Sequence, residues 1–295
     1  MAFFVRFWGT RGSIPTPGRT TNKYGGNTSC VEIRVDETLF VCDGGTGLRE
    51  LGVDLLRRGV PNITAHFLFS HMHWDHIQGF PFFTPAYIPV NTCNIYGTSA
   101  GDHRFHSLLS GQMRSDYFPV DFSELRSHIL ATDLDNGKRP IDGVRVRWFE
   151  QRHPGTSYAY SLEKNGVKVV YATDNEIDLT LAKTFDEVQS DLEKQREVPE
   201  TLVEFVRGAD LLIADAQYTD LEYPKHVGWG HPRATTVVDL AVLGGVKQLA
   251  LFHHDPMHSD ADVEAIVQQC RQRAKLFGSP LFTFAAREGL ELKLD

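Results

Sequence analysis

Apolar and polar residues along this chain fall into short runs separated by glycine-, proline- and asparagine-rich turns, which predicts an α/β protein with many strands. Val5 to Trp8 reads as a first strand, and the Gly/Pro-rich stretch from Gly9 to Gly18 leaves it as a loop. Val31 to Val35 and Leu39 to Cys42 follow as strands, the second ending in Asp43-Gly44-Gly45-Thr46-Gly47. Leu48, Leu51, Leu55 and Leu56 then recur at helical spacing, which predicts a helix over 48–58. The apolar run Ile63 to Phe69 reads as a buried strand that ends in Ser70-His71-Met72-His73-Trp74-Asp75-His76.

Residues 77–140 are irregular and aromatic, with a strand at Thr92 to Tyr96. The stretch at 101–122 is hard to place in a core and reads as a lid inserted over a site. Val144 to Phe149 is a strand left by Gln151-Arg152-His153-Pro154-Gly155. Tyr158 to Glu163 and Val167 to Tyr171, joined by Asn165-Gly166, predict a β-hairpin whose second arm runs into Asp174. Residues 176–207 read as helical, with Leu179, Leu181, Phe185, Val188 and Leu192 on one face. Leu211 to Ile213 is a strand ending at Asp215, Pro232 to Leu243 a helix, and Gln248 to Phe252 a strand ending at His253. A long helix over 261–277 and strands at Leu281 to Phe284 and Leu290 to Leu294 close a sheet. No linker or compositional break divides the chain, so residues 1–295 read as one domain of two βα halves.

Composition narrows this picture. Hydrophobic content of 41% and charged content of 23% suit a globular chain with a sizeable core. The four cysteines are scattered without a C-x-x-C pair and read as reduced thiols of a cytoplasmic protein. The N-terminus lacks the basic start and apolar core of a signal peptide, and no apolar run is long enough to span a membrane. A net charge of −8 argues against a surface that coats nucleic acid, but not against a small anionic substrate held by metal ions.

The chemistry sits where strands end. Three histidines and an aspartate lie within the six residues His71 to His76, and imidazole and carboxylate are the donors that zinc, manganese and iron accept. The pattern of a strand followed at once by a candidate ligand recurs at His153, Asp174 and His253. Such ends converge on one sheet edge, where loops hold the metal on a rigid scaffold. His254 is a neighbouring candidate for the last position.

The His71-Met72-His73-Trp74-Asp75-His76 string resembles the signature of the metallo-β-lactamase fold, a family of mostly binuclear metal hydrolases. Asp43, His153, Asp174 and His253 resemble its other motifs in the family's order. The resemblance implies an α/β fold, an αββα four-layer sandwich of mixed sheets with helices outside. It implies two divalent metal ions, zinc or manganese with iron also acceptable. By it, His71, His73 and His153 hold one ion, Asp75, His76 and His253 the other, and Asp174 bridges them. It places Asp43 behind a ligand histidine as an orienting group. Gly230-His231-Pro232-Arg233-Ala234-Thr235 resembles the Gly-His-Ser/Thr stretch of the transfer-RNA 3′-processing and phosphodiesterase members, whose histidine is catalytic.

That resemblance implies a phosphodiesterase for a small cyclic or nucleotide-like phosphodiester. A hydroxide shared by the metals is the nucleophile, His231 the general acid, and Asp75 part of the catalytic set. His226 and Arg233 are candidates for substrate contact. The flexible arm by which transfer-RNA-processing members grip their substrate is not recognisable, so with net charge −8 transfer RNA is set aside. A homodimer fits the branch. A thioester or lactone hydrolase of glyoxalase II type, or a non-catalytic metal or nucleotide sensor, are the alternatives.

Overall fold

The structure, a computed structural model, describes residues 3–97, 104–134, 137–181 and 193–295. It divides into two compact units that exchange short segments. The first comprises 1–18, 25–138 and 287–295, and the second 19–24 and 139–286. Each carries one seven-stranded mixed sheet with helices, the α/β class expected.

The first unit is built from β1 (Phe3–Gly9), β2 (Cys30–Val35), β3 (Thr38–Cys42), α1 (Gly47–Arg57), β4 (Thr64–Leu68), α2 (Trp74–Ile77), β5 (Thr92–Gly97), α3 (Arg104–Gly111) and β6 (His128–Asp133). Strand β14 (Glu291–Leu294) is its last element, and the sheet order is β14-β1-β2-β3-β4-β5-β6. The pairs from β14 through β3 are antiparallel and those from β3 through β6 parallel. Helix α1 buries Leu48, Leu51 and Leu55 in a core with Val41, Phe67 and Ile95. Phe67 meets Phe80 and Phe83 edge-on at centroid distances of 5.6 and 5.4 Å, which fixes the end of β4 just before the histidine loop. Leu109 and Met113 are fully buried in this core, and Phe118 and Phe122 pack against it. The stretch expected as hard to place in a core therefore contributes to one. Its residues 101–103 lie outside the described residues.

The second unit contains β7 (Lys138–Ile141), β8 (Val144–Arg152), β9 (Thr156–Lys164), β10 (Val167–Ala172), α4 (Glu200–Val206), β11 (Leu211–Asp215), α5 (Ala234–Leu243), β12 (Gln248–Phe252), α6 (Asp260–Leu276) and β13 (Phe282–Ala285). Its sheet order is β13-β12-β11-β10-β9-β8-β7. Strands β10 to β13 are parallel, so β10, β11 and β12 end on the same edge. They are nearly continuous apolar runs because helices α4, α5 and α6 share a core with them. Asn165 and Gly166 both take positive φ (53° and 83°), the turn that closes the β9–β10 hairpin.

Three expectations change. Residues 176–207 do not form one helix: a 3₁₀ turn covers Ile177–Thr180, and α4 starts only after Pro199, whose ring cannot continue a helix from upstream. Of the expected face, Leu179 is exposed and Leu181 packs against the core, while the positions Phe185, Val188 and Leu192 lie outside the described residues. The two C-terminal strands join different sheets, β13 beside β12 and β14 beside β1. Strands β6 and β7 carry too little apolar alternation to be read from sequence.

Candidate functional site

In the first unit the site residues stand at the carboxyl ends of β3 and β4. Asp43 follows β3 in the left-handed region (φ 59°), a conformation an aspartate tolerates better than most residues. This turns its carboxylate toward the neighbouring loop. Oδ1 accepts from Ser70 N (2.7 Å), and Oδ2 accepts from Ser70 Oγ (2.8 Å) and His76 Nδ1 (2.7 Å). Helix α1 has Thr46 at its N-cap, so Asp43 serves the histidine loop and not that helix. Since the Ser70 hydroxyl donates to Asp43, it accepts from His71 Nδ1 at 3.0 Å. Both His71 and His76 thus carry their proton on Nδ1 and direct Nε2 as the lone-pair nitrogen. The His71 ring lies 4.4 Å from that of His73 and 4.2 Å from that of His76, centroid to centroid. Asp75 Oδ2 accepts from Ser13 N (2.8 Å) and lies 3.1 Å from His76 Nε2. The loops approach so closely that a Cβ on Gly45 would stand 2.3 Å from the Asp75 carbonyl oxygen, which is why Gly occurs there.

In the second unit Asp174, Asp215 and His253 stand at the ends of β10, β11 and β12, the three parallel strands that share an edge. Asp174 (φ 54°) and His253 (φ 58°) repeat the left-handed turn of Asp43. Non-glycine residues in that region concentrate at functional sites, where surrounding contacts hold the strain. With His231 they form a wholly buried cluster whose candidate ligand atoms lie within 4.8 Å of one another. His253 Nε2 lies 3.4 Å from Asp174 Oδ1, and His153 Nε2 lies 3.9 Å from Asp174 Oδ2. His253 Nδ1 donates to Gln217 Oε1 (3.0 Å), whose amide nitrogen donates to Asp255 (3.1 Å). His153 Nδ1 donates to the Gly230 carbonyl (3.0 Å). A Cβ on Gly230 would stand 2.1 Å from that ring nitrogen, and the residue's φ of +95° is glycine's own. His254 is turned elsewhere, its Nε2 against the Ala286 carbonyl at 2.9 Å.

His231 differs from these histidines. Its Nδ1 lies 2.7 Å from the Asp215 carboxylate, while Asp215 Oδ1 accepts from Gln217 N. Its ring stacks on His253 at 5.0 Å. A carboxylate on Nδ1 fixes the tautomer and stabilises the imidazolium, so Nε2 can carry a proton for donation. His231 does not cap a helix; α5 has Arg233 at its N-cap. Arg233 is fully buried. Its backbone N and Nε donate to Asp178 (2.8 Å each), with Asp220 at 3.4 Å from Nη1, so its guanidinium joins α5 to the 177–180 turn instead of facing a ligand. Its place beside His231 in sequence suggests phosphate contact; a buried guanidinium held by two of the chain's own carboxylates is instead built into the fold. His226 stacks on Tyr218 at 4.4 Å, and its Nδ1 pairs with the Glu222 carbonyl.

Sequence reasoning missed Ser70, Asp215, Gln217 and also Glu176, whose buried carboxylate accepts from Gly228 N and Gly230 N just before His231. Asp215 carried a usable signal, since it too directly ends a strand. The other three act through hydrogen bonds that no spacing encodes.

The profile of the beta-lactamase superfamily domain matches residues 38–254, more than half of the chain. The chain belongs to that superfamily. A ribonuclease Z of Picrophilus torridus is 22% identical, with 99% of this chain and 96% of the relative covered. A metallo-β-lactamase-fold protein of Bacillus subtilis superposes with a TM-score of 0.68 at 17% identity over 100% of both chains. The short form of human tRNase Z superposes with a TM-score of 0.64 at 18% identity over 98% of both chains. The fold is therefore the metallo-β-lactamase fold, and this superfamily member is a metal-dependent hydrolase.

These relatives overturn one expectation. Net charge and the missing arm set transfer RNA aside in favour of a small anionic substrate, yet full-length relatives are named for a ribonuclease and a tRNase. Whole-chain charge governs solubility and long-range encounter, not the groups around a few buried histidines, so −8 does not bar an RNA substrate.

The donors fit divalent ions. His71, His76, His153 and His253 each have Nδ1 held by a hydrogen-bond partner, which leaves Nε2 as the nitrogen that would face an ion, the outer arrangement that accompanies metal-bound histidine. Among the described residues no helix is long and apolar enough to cross a membrane. All four cysteines are buried free thiols, and burial pushes Cys93 up to about 11.

Proposed function

We propose that this superfamily member hydrolyses phosphodiester bonds in RNA, in the manner of the ribonuclease Z relatives. His71, His73 and His153 would hold one divalent ion, Asp75, His76 and His253 a second, and Asp174 both, with zinc or manganese as the ions. Bound there, the ions supply Lewis acidity and activate water at neutral pH. The chain's own residues do the rest. Asp43 and Ser70 orient His71 and His76, Gln217 orients His253, and the Gly230 carbonyl orients His153. His231 delivers a proton through Nε2 to the departing oxygen, and Asp215 holds its ring in the aim that this needs.

The Asp215–His231 pair, buried beside Asp174 and His253, carries this reading. Transfer of a phosphoryl group away from a ribose alkoxide needs an acid, and a histidine locked onto a carboxylate is built to be one. The relatives named ribonuclease Z support RNA as the substrate. The test compares His231→Ala on two substrates. A ribose alkoxide is a poor leaving group that requires protonation, whereas p-nitrophenolate leaves without it. The loss should be about 10²–10⁴-fold on RNA and much smaller on bis(p-nitrophenyl) phosphate. Equal losses on both would remove the acid role, and turnover of S-acyl glutathione in place of either phosphodiester would contradict the reaction class.

A further inference from the structure

Trp229 is 62% exposed and stands two residues before His231, within about 7 Å of chain. A single exposed apolar ring is ordinary on a protein surface. The backbone beneath this one is not. Glu176, buried at the end of the β10 turn, spends its carboxylate on the two residues flanking Trp229: Oε1 accepts from Gly228 N (2.6 Å) and Oε2 from Gly230 N (2.8 Å). Oε1 also accepts from the Tyr223 hydroxyl (2.8 Å). Both glycines take positive φ (88° and 95°), so Trp229 sits at the crest of a loop that only glycine on each side allows. Trp229 N donates to the His226 carbonyl (3.0 Å), and its ring meets the His226 ring edge-on at 4.8 Å. The His226 ring in turn lies flat on Tyr218. An indole is thus exposed to water yet fixed by a buried carboxylate and a tier of aromatic rings.

We propose that Trp229 is a stacking platform for a base of the RNA substrate next to the scissile phosphodiester. This rests on the hydrolytic reading above. Exposed aromatics held rigidly beside a reaction centre suit nucleobases, because every base has a π-face and a preformed ring gives up little entropy on stacking. The nucleotide that receives the proton of His231 is the group the reaction itself brings to this loop. Trp229 is then a specificity residue, and Glu176 positions it without touching substrate.

The test uses metal-loaded protein and an end-labelled single-stranded RNA with a methylphosphonate at the cleavage position, so that bound RNA is not cut. A second RNA has abasic residues on either side of that linkage. Binding is read by fluorescence anisotropy, and cleavage is followed in parallel on the all-phosphate RNA. Trp229→Ala should weaken binding of the base-bearing RNA about tenfold to a hundredfold and leave binding of the abasic RNA unchanged. Trp229→Phe should retain most of the affinity. Because the ring is exposed, the melting temperature should not move. Equal losses on both RNAs, or none on the base-bearing one, would overturn the platform. Wild-type protein that discriminates the two RNAs through Trp229 but leaves the all-phosphate RNA uncut would overturn the hydrolytic reading and leave the platform standing. Cleavage by wild type with unaltered binding by Trp229→Ala would do the reverse.

Discussion

Four histidines of this protein share one arrangement although they come from three different chain segments. His71 leans on Ser70, His76 on Asp43, His153 on the Gly230 carbonyl and His253 on Gln217, each through Nδ1. Removing such a partner leaves the ligand in place but frees its ring to rotate or change tautomer. Asp43→Ala should therefore lower metal affinity about 10–100-fold, measured by competition with a chelator, without abolishing the fold. His231 stands apart because its Nδ1 partner is a carboxylate. Asp215→Asn should lower kcat on RNA and leave metal content at the wild-type level, since the asparagine cannot stabilise an imidazolium. A variant that lost its metal instead would make Asp215 a ligand and not an acid's partner.

At the scale of elements, strand ends explain both the success and the failure of sequence reading. Asp43, His71 to His76, Asp174 and His253 were legible because each follows an apolar run at once, and a motif in a fixed order ties them together. Asp215 has the same position at the end of β11 but no place in that motif, and it was passed over. Glu176 and Gln217 were illegible for a different reason: their roles are hydrogen bonds to backbone amides and to a ring nitrogen across loops. The helical periodicity across 176–207 misled because Pro199 and the 177–180 turn interrupt it.

Arg233 shows the same limit from the other side. A positive charge next to His231 suggests phosphate contact in sequence, yet its partners are Asp178 and Asp220. Arg233→Ala should destabilise the fold by about 3–5 kcal/mol, as expected when a buried ion pair loses one member, read as a lowered denaturation midpoint. A variant of unchanged stability with a raised KM would return Arg233 to the substrate.

The Glu222 carboxyl supports the same loop system. Burial pushes it up, but hydrogen bonds from His258 and Thr219 outweigh this and hold it below the usual glutamate value. A depressed folded-state value contributes stability above the unfolded pKa and loses it as pH falls through the folded one. The difference in melting temperature between wild type and Glu222→Gln should then be full at neutral pH and shrink below about pH 4.

At the scale of the whole molecule, each compact unit carries its own set of candidate donors. The first offers the His71 to His76 loop with Asp43, the second the Asp174, Asp215, His231 and His253 cluster with His153. Each set stands where parallel strands end, the edge at which α/β sheets place their ligands. The division of fold from function follows from this. Alternating apolar runs and a ligand motif reveal a metal hydrolase, whereas the substrate depends on loops such as 218–231, whose shape comes from two glycines and one buried carboxylate.

The most direct test strips the protein with a chelator and reconstitutes it in turn with zinc and with manganese. Cleavage is then followed on a transfer-RNA precursor carrying a 3′ extension. The account predicts cleavage only when metal is restored, and its loss in a His231→Ala protein that still binds the ions. Intact precursor in the presence of protein with two ions demonstrably bound, or full cleavage by His231→Ala, would contradict it.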